Sequence, residues 1–117
     1  MTKKISFKIG GCTYKIKMQK DLVRNMNLFG MCNTADNTIT VDSNVSIDRL
    51  EQTIVHELLH ALLTESGYVP DEQEEELVER LGITLHQFLR ENFALSTVLD
   101  DKGVYEARYE ENEDEEL

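Results

Sequence analysis

The stretch from Ile47 to Glu65 constrains this chain more than any other. Read at 3.6 residues per turn, Ile54, Val55, Leu58, Ala61 and Leu62 cover one side of a helix, while Leu59 and Leu63 flank the other. A helix apolar over most of its circumference belongs in the middle of a domain, not on its surface. Asp42, Ser43 and Ser46 supply N-cap candidates, Asp48 and Glu51 suit the positive end of the helix dipole, and Gly67 is placed to end the helix. Into this apolar wall the sequence sets two imidazoles, His56 and His60, with Glu57 beside the first.

Residues four apart stack on one side of a helix, about 6 Å apart along its axis. Both ring nitrogens then reach a single metal ion at about 2 Å. Glu57 points roughly 100° around the helix from His56, too far to ligate comfortably but close enough to take a proton from a water activated there. A catalytic zinc site takes three protein ligands and leaves one position open. The third must come from elsewhere, and the acidic opening of the next helix is the natural donor. That helix is expected to start at Pro70 and Asp71 and run to about Phe93, with Leu77, Val78, Leu81, Leu85, Phe88 and Leu89 at helical spacing. Glu72, Glu74, Glu75, Glu76 and Glu79 are all available. Helical phase ranks Glu75 first, because it begins the row Glu75, Val78, Gly82 and Leu85. Glu74 shares a face with Leu77, Val78 and Leu81 and ranks next, with Glu79 and Glu76 behind.

The competing reading leaves the two histidines satisfied inside a core and Glu57 as a surface charge. It must place two imidazoles and a carboxylate in an otherwise apolar element, where an unpaired polar group is costly. His86, the remaining histidine, lies about 16 Å along the helix from Glu75 and reads as a core aromatic. Tyr68 packs over the loop or, alternatively, steadies an oxyanion on the open side of the metal.

Before the helices, Ile5 to Ile9 and Tyr14 to Met18 alternate apolar and polar residues around Gly10-Gly11, which predicts a hairpin. Leu28 to Cys32 and Thr38 to Val41 form a second strand pair across a link rich in turn formers, and Asp21 to Asn27 reads as a loop or short helical turn. The fold class is therefore α+β, with a small antiparallel N-terminal sheet followed by two packed helices. Leu95 to Leu99 and Val104 to Tyr105 are expected to add a short edge strand or to cap the core. Met18, Met26 and Met31 read as core filling.

A net charge of −11 on 117 residues argues against nucleic acid as a partner, because phosphate contacts need basic patches. Seven of the acidic residues lie between Glu106 and Leu117. Residues 1–105 are accordingly read as one domain, and 106–117 as a solvated, disordered acidic tail. No secretory signal or membrane-spanning run is visible, so a cytoplasmic location is expected, with Cys12 and Cys32 as free thiols.

His56-Glu57-Leu58-Leu59-His60, followed by Glu75-Glu76-Leu77-Val78-Glu79-Arg80-Leu81-Gly82, resembles the zinc core of gluzincin metallopeptidases, and most of all the small bacterial and phage-encoded members of the ImmA/IrrE type. The resemblance covers roughly residues 46–92. It implies His56, His60 and Glu75 as zinc ligands, Glu57 as general base, and a protein or peptide substrate such as a regulatory protein. Glu79 stands where the family usually has Asn or Asp, a group that steadies a ligating histidine. The alternative reading is a zinc-binding interaction module that has lost useful catalysis. Little chain is left over to build a substrate cleft.

Overall fold

The computed structural model describes residues 5–113. Alternation in the first strands produces the hairpin: β1 (Ile5–Ile9) pairs antiparallel with β2 (Cys12–Gln19), and Ile9 opposite Cys12 closes a turn in which Gly10 and Gly11 both take positive φ. Two consecutive left-handed residues match the twist of the flanking strands, and glycine adopts that conformation without a Cβ penalty. A short helix, α1 (Leu22–Met26), leads to β3 (Gly30–Asn33), which pairs antiparallel with β4 (Thr38–Asp42).

The sheet is not wholly antiparallel. Its order is β1-β2-β4-β3, and the central pair β2 and β4 runs parallel, with Ile16 opposite Ile39 and Met18 opposite Val41. Both hairpins are where the sequence put them. Their junction was not legible because side-chain alternation has the same period whichever way the neighbouring strand runs. The passage through α1 carries the chain past the centre of the sheet, so β3 becomes an edge and β4 fills the space beside β2.

The long helix α2 (Ile47–Glu65) lies against this sheet. Ser46 caps it, its Oγ accepting from the Arg49 amide at 3.1 Å. Asp42 serves a different turn, accepting from the amides of Val23 at 2.8 Å and Asn44 at 2.7 Å. Leu50, Ile54 and Ala61 of α2 meet Ile5, Ile9, Tyr14, Ile16, Ile39 and Val41 of the sheet in one apolar core.

The second long helix, α3 (Glu74–Asn92), starts later than Pro70 and Asp71. Asp71 is occupied in the loop, where its Oδ1 accepts from the Tyr68 hydroxyl at 2.9 Å and the Gln73 amide at 3.0 Å. Only Val78, Gly82 and His86 of α3 are buried; Leu77, Leu81 and Phe88 of the expected apolar row are exposed. His86 is buried with a partner, Glu51 Oε1, at 3.2 Å. Met26, expected in the core, is also exposed.

Of the two alternatives for Leu95 to Tyr105, capping the core is the one realised: two further helices, α4 (Leu95–Lys102) and α5 (Val104–Glu113), bring Leu99 and Val104 into it and take up much of the expected tail. The boundary placed at residue 105 falls inside α5. Val104 and Ala107 are buried, Arg108 donates to the Val45 carbonyl at 2.7 Å, and Asn112 exchanges two hydrogen bonds with Ser43, each at 2.8 Å. Acidic composition concealed this narrow packed face. Residues 114–117, the rest of that segment, lie outside the described residues. Among the described residues no helix is long and apolar enough to cross a membrane.

Candidate metal centre

His56 and His60 stand one turn apart on α2, with ring centroids 5.1 Å apart. The loop after Gly67 turns the chain back so that the first residues of α3 face them. Val78 and Gly82 are the buried residues on this side of α3, and a Cβ built on Gly82 would make ordinary contacts, Leu59 Cδ1 at 3.7 Å and His56 Cα at 3.9 Å. This antiparallel packing brings Glu75 onto the histidines. One of its carboxylate oxygens lies 2.8 Å from His56 Nε2 and the other 3.1 Å from His60 Nε2.

One donor atom from each of His56, His60 and Glu75 lies within 4.8 Å of the other two. Each imidazole–carboxylate contact is held by a shared proton, and a divalent cation bound by the three side chains would take the place of those protons. Two imidazoles and a carboxylate are a donor set suited to zinc and to other borderline divalent ions. The residues present therefore fit a metal, and the geometry by itself does not select which one.

Glu74, ranked behind Glu75 as a ligand, takes another position. Its Oε2 lies 2.6 Å from Nδ1 of His60, on the ring nitrogen that does not face Glu75. A carboxylate on the second nitrogen fixes tautomer and ring orientation. The family resemblance assigned such a steadying group to Glu79, which instead lines the neighbouring cleft. Glu76 is exposed and faces Arg80. Tyr68 donates to Asp71, and His86 lies in the Glu51 contact away from the cluster.

Glu57 is buried, 7 % exposed, and its side chain runs beneath β3. Burial raises its pKa above the usual carboxylate range; His56 and His60 pull it back, and the charge of Glu75 adds to the rise. Gly30 is the residue that permits this arrangement. A Cβ there would lie 2.7 Å from Thr53 Cγ2, 2.9 Å from the Thr40 carbonyl and 3.3 Å from Glu57 Cγ.

A cleft of about 460 Å³ opens beside the cluster, between the segment Asn27 to Gly30 and the two long helices. His56, Glu57, Glu75 and Glu79 line one part of it, and Arg49, Gln52 and Phe29 another. Sequence reasoning nominated none of Gly30, Phe29 and Arg49. Gly30 reaches the site from an edge strand, Phe29 from the bend before it and Arg49 from the first turn of α2, and no periodicity or spacing links them to His56.

No family model matches this chain, and no curated protein or solved structure matches it.

Proposed function

We propose that this protein is a zinc-dependent peptidase that hydrolyses a peptide bond, with His56, His60 and Glu75 holding the metal and Glu57 moving the proton. The observation that carries the reading is the bridging of both Nε2 atoms by the Glu75 carboxylate, beside a cleft that also contains Glu57. A bound zinc ion supplies Lewis acidity, polarising a carbonyl and making water easier to deprotonate.

The chain's own residues contribute the rest. Glu57 is held out of bulk water, so its raised proton affinity suits a group that accepts a proton from the attacking water and returns it to the leaving amine. Glu74 keeps the His60 ring turned with Nε2 toward Glu75. β3 is an edge of the sheet and contributes to the cleft, so an extended peptide can add to it by main-chain pairing. A regulatory protein is the substrate class proposed.

The test is Glu57→Gln on zinc-loaded protein. Zinc content should stay at wild-type level while turnover of a cleaved peptide falls by about 10²-fold or more. Unchanged turnover would remove Glu57 from the chemistry. A second reading, a metal-binding interaction module without catalysis, is favoured by one observation: the Tyr68 hydroxyl is engaged by Asp71. That reading expects stoichiometric zinc and partner binding with no cleavage.

A further inference from the structure

The cleft carries a feature that metal binding and proton transfer leave unused. Arg49 lines it and is exposed, although the chain as a whole carries a charge of −11. Its guanidinium lies 4.8 Å from the centre of the Phe29 ring, and one of its nitrogens donates to Gln52 Oε1 at 3.1 Å. Among the described residues no carboxylate pairs with it. The neighbouring cations differ: Arg90 meets Asp48 and Glu51, and Arg80 meets Glu76. Stacking on an aromatic face and one amide contact hold the planar group without neutralising it, and most of its five donors stay available.

The placement of Arg49 along the helix defines what it can recognise. Arg49 precedes His56 by seven residues on α2, which is about 10.5 Å along the axis and within about 20° of the same face. An extended peptide spans that distance in about three residues, at roughly 3.3 Å each. We infer that the cleft selects a peptide bearing a carboxylate about three residues from the bond at the metal centre, and that Arg49 is the residue that reads it. The inference deepens the peptidase reading by naming its substrate class. A planar carboxylate matches the guanidinium fork. A polyanion such as nucleic acid is disfavoured by the net charge of −11, and Arg49 is the one cation beside Glu57, Glu75 and Glu79 in the lining of the cleft.

Two sources supply such a carboxylate, an Asp or Glu side chain and the end of a peptide chain. The experiment separates them. Zinc-loaded full-length protein carrying Glu57→Gln is titrated with fluorescent decapeptides of Ala, Leu and Gln, blocked at both ends, with one Asp moved through the positions and an Asn twin for each. A parallel set has no acidic side chain and a free C-terminal carboxylate at each successive length. Arg49 is exposed, and its backbone amide, not its side chain, makes the Ser46 cap, so substitutions there leave the fold intact.

The best acidic peptide should bind about two- to fivefold tighter than its neutral twin, the range for an exposed ion pair with good geometry. Arg49→Gln should remove the difference, and Arg49→Glu should shift preference to a Lys peptide. Equal binding of twins, survival of the preference in Arg49→Gln, or no binding by any peptide overturns the inference. Failure of the peptidase reading looks different: an Arg49-dependent preference persists, yet protein with Glu57 restored cleaves none of the bound peptides.

Discussion

Glu74 Oε2 lies 2.6 Å from Nδ1 of His60, while Nε2 of the same ring faces Glu75 at 3.1 Å. One imidazole is thus held between consecutive carboxylates of α3, one that can share a cation with it and one that orients it. Removing the orienting group should loosen metal binding without abolishing it. Glu74→Ala is expected to weaken zinc affinity about 10- to 100-fold, and Glu74→Gln less, as measured by competition with a chromophoric chelator. Unchanged affinity in Glu74→Ala would leave that contact with no part in the site.

Loss of a ligand should act more strongly. His56→Ala and Glu75→Ala are expected to lose stoichiometric zinc in mass spectrometry of the intact protein. In the wild type, free zinc at a hundred times its dissociation constant should stabilise the fold by about 2.7 kcal/mol, an increment that a chelator reverses. Thermal unfolding with and without zinc checks this, and His56→Ala should show no increment.

Gly30 makes a steric prediction. Gly30→Ala places a methyl group 2.7 Å from Thr53 Cγ2 and 2.9 Å from the Thr40 carbonyl. The carbonyl belongs to paired backbone and cannot yield, so β3 must move away from α2. A destabilisation of about 1–3 kcal/mol is expected from overpacking, read from the urea midpoint. Because the same methyl group approaches Glu57 Cγ at 3.3 Å, turnover should fall by more than stability alone explains.

Glu51 makes a pH prediction. Its carboxylate is fully buried, accepting from Tyr105 at 2.5 Å, Ser96 at 2.7 Å and His86 at 3.2 Å, with Arg90 at 3.8 Å. Burial alone would raise its pKa, but the three hydrogen bonds and the Arg90 charge outweigh it, so the value falls below 4.5. A lowered carboxylate contributes stability that is complete above its unfolded value and disappears as pH falls through its folded one. Glu51→Gln should therefore cost about 1.5–3 kcal/mol near neutral pH, with the gap from wild type closing only below the unfolded value. Urea midpoints of both proteins between neutral and strongly acid pH test the sign. The same contact deepens the Tyr105 hydroxyl's reluctance to ionise: burial and Glu51 push its pKa up to about 12.

Local pattern determined much of this protein. Alternation around Gly10-Gly11 marked the first hairpin, and apolar residues at helical spacing marked α2 from Ile47 to Glu65. The four-residue spacing of His56 and His60 was legible because helix geometry fixes which neighbours share a face. Phase also brought Glu75 forward as a candidate, since it leads the row containing Val78 and Gly82, both buried against α2. Tertiary structure alone decided the rest. Strand direction leaves no trace in a period of two, so the parallel pairing of β2 with β4 could not be read. Helix α5 was hidden because one narrow face, Val104 and Ala107 with Arg108 and Asn112, outweighs its acidic composition through contacts with residues far back in the chain. The separate positions of Glu74 and Glu75, and the approach of Gly30 and Arg49 to the same cleft, depend on how three elements pack. Sequence spacing determines what one element presents, whereas distances between elements arise only when the core closes and fixes their relative positions.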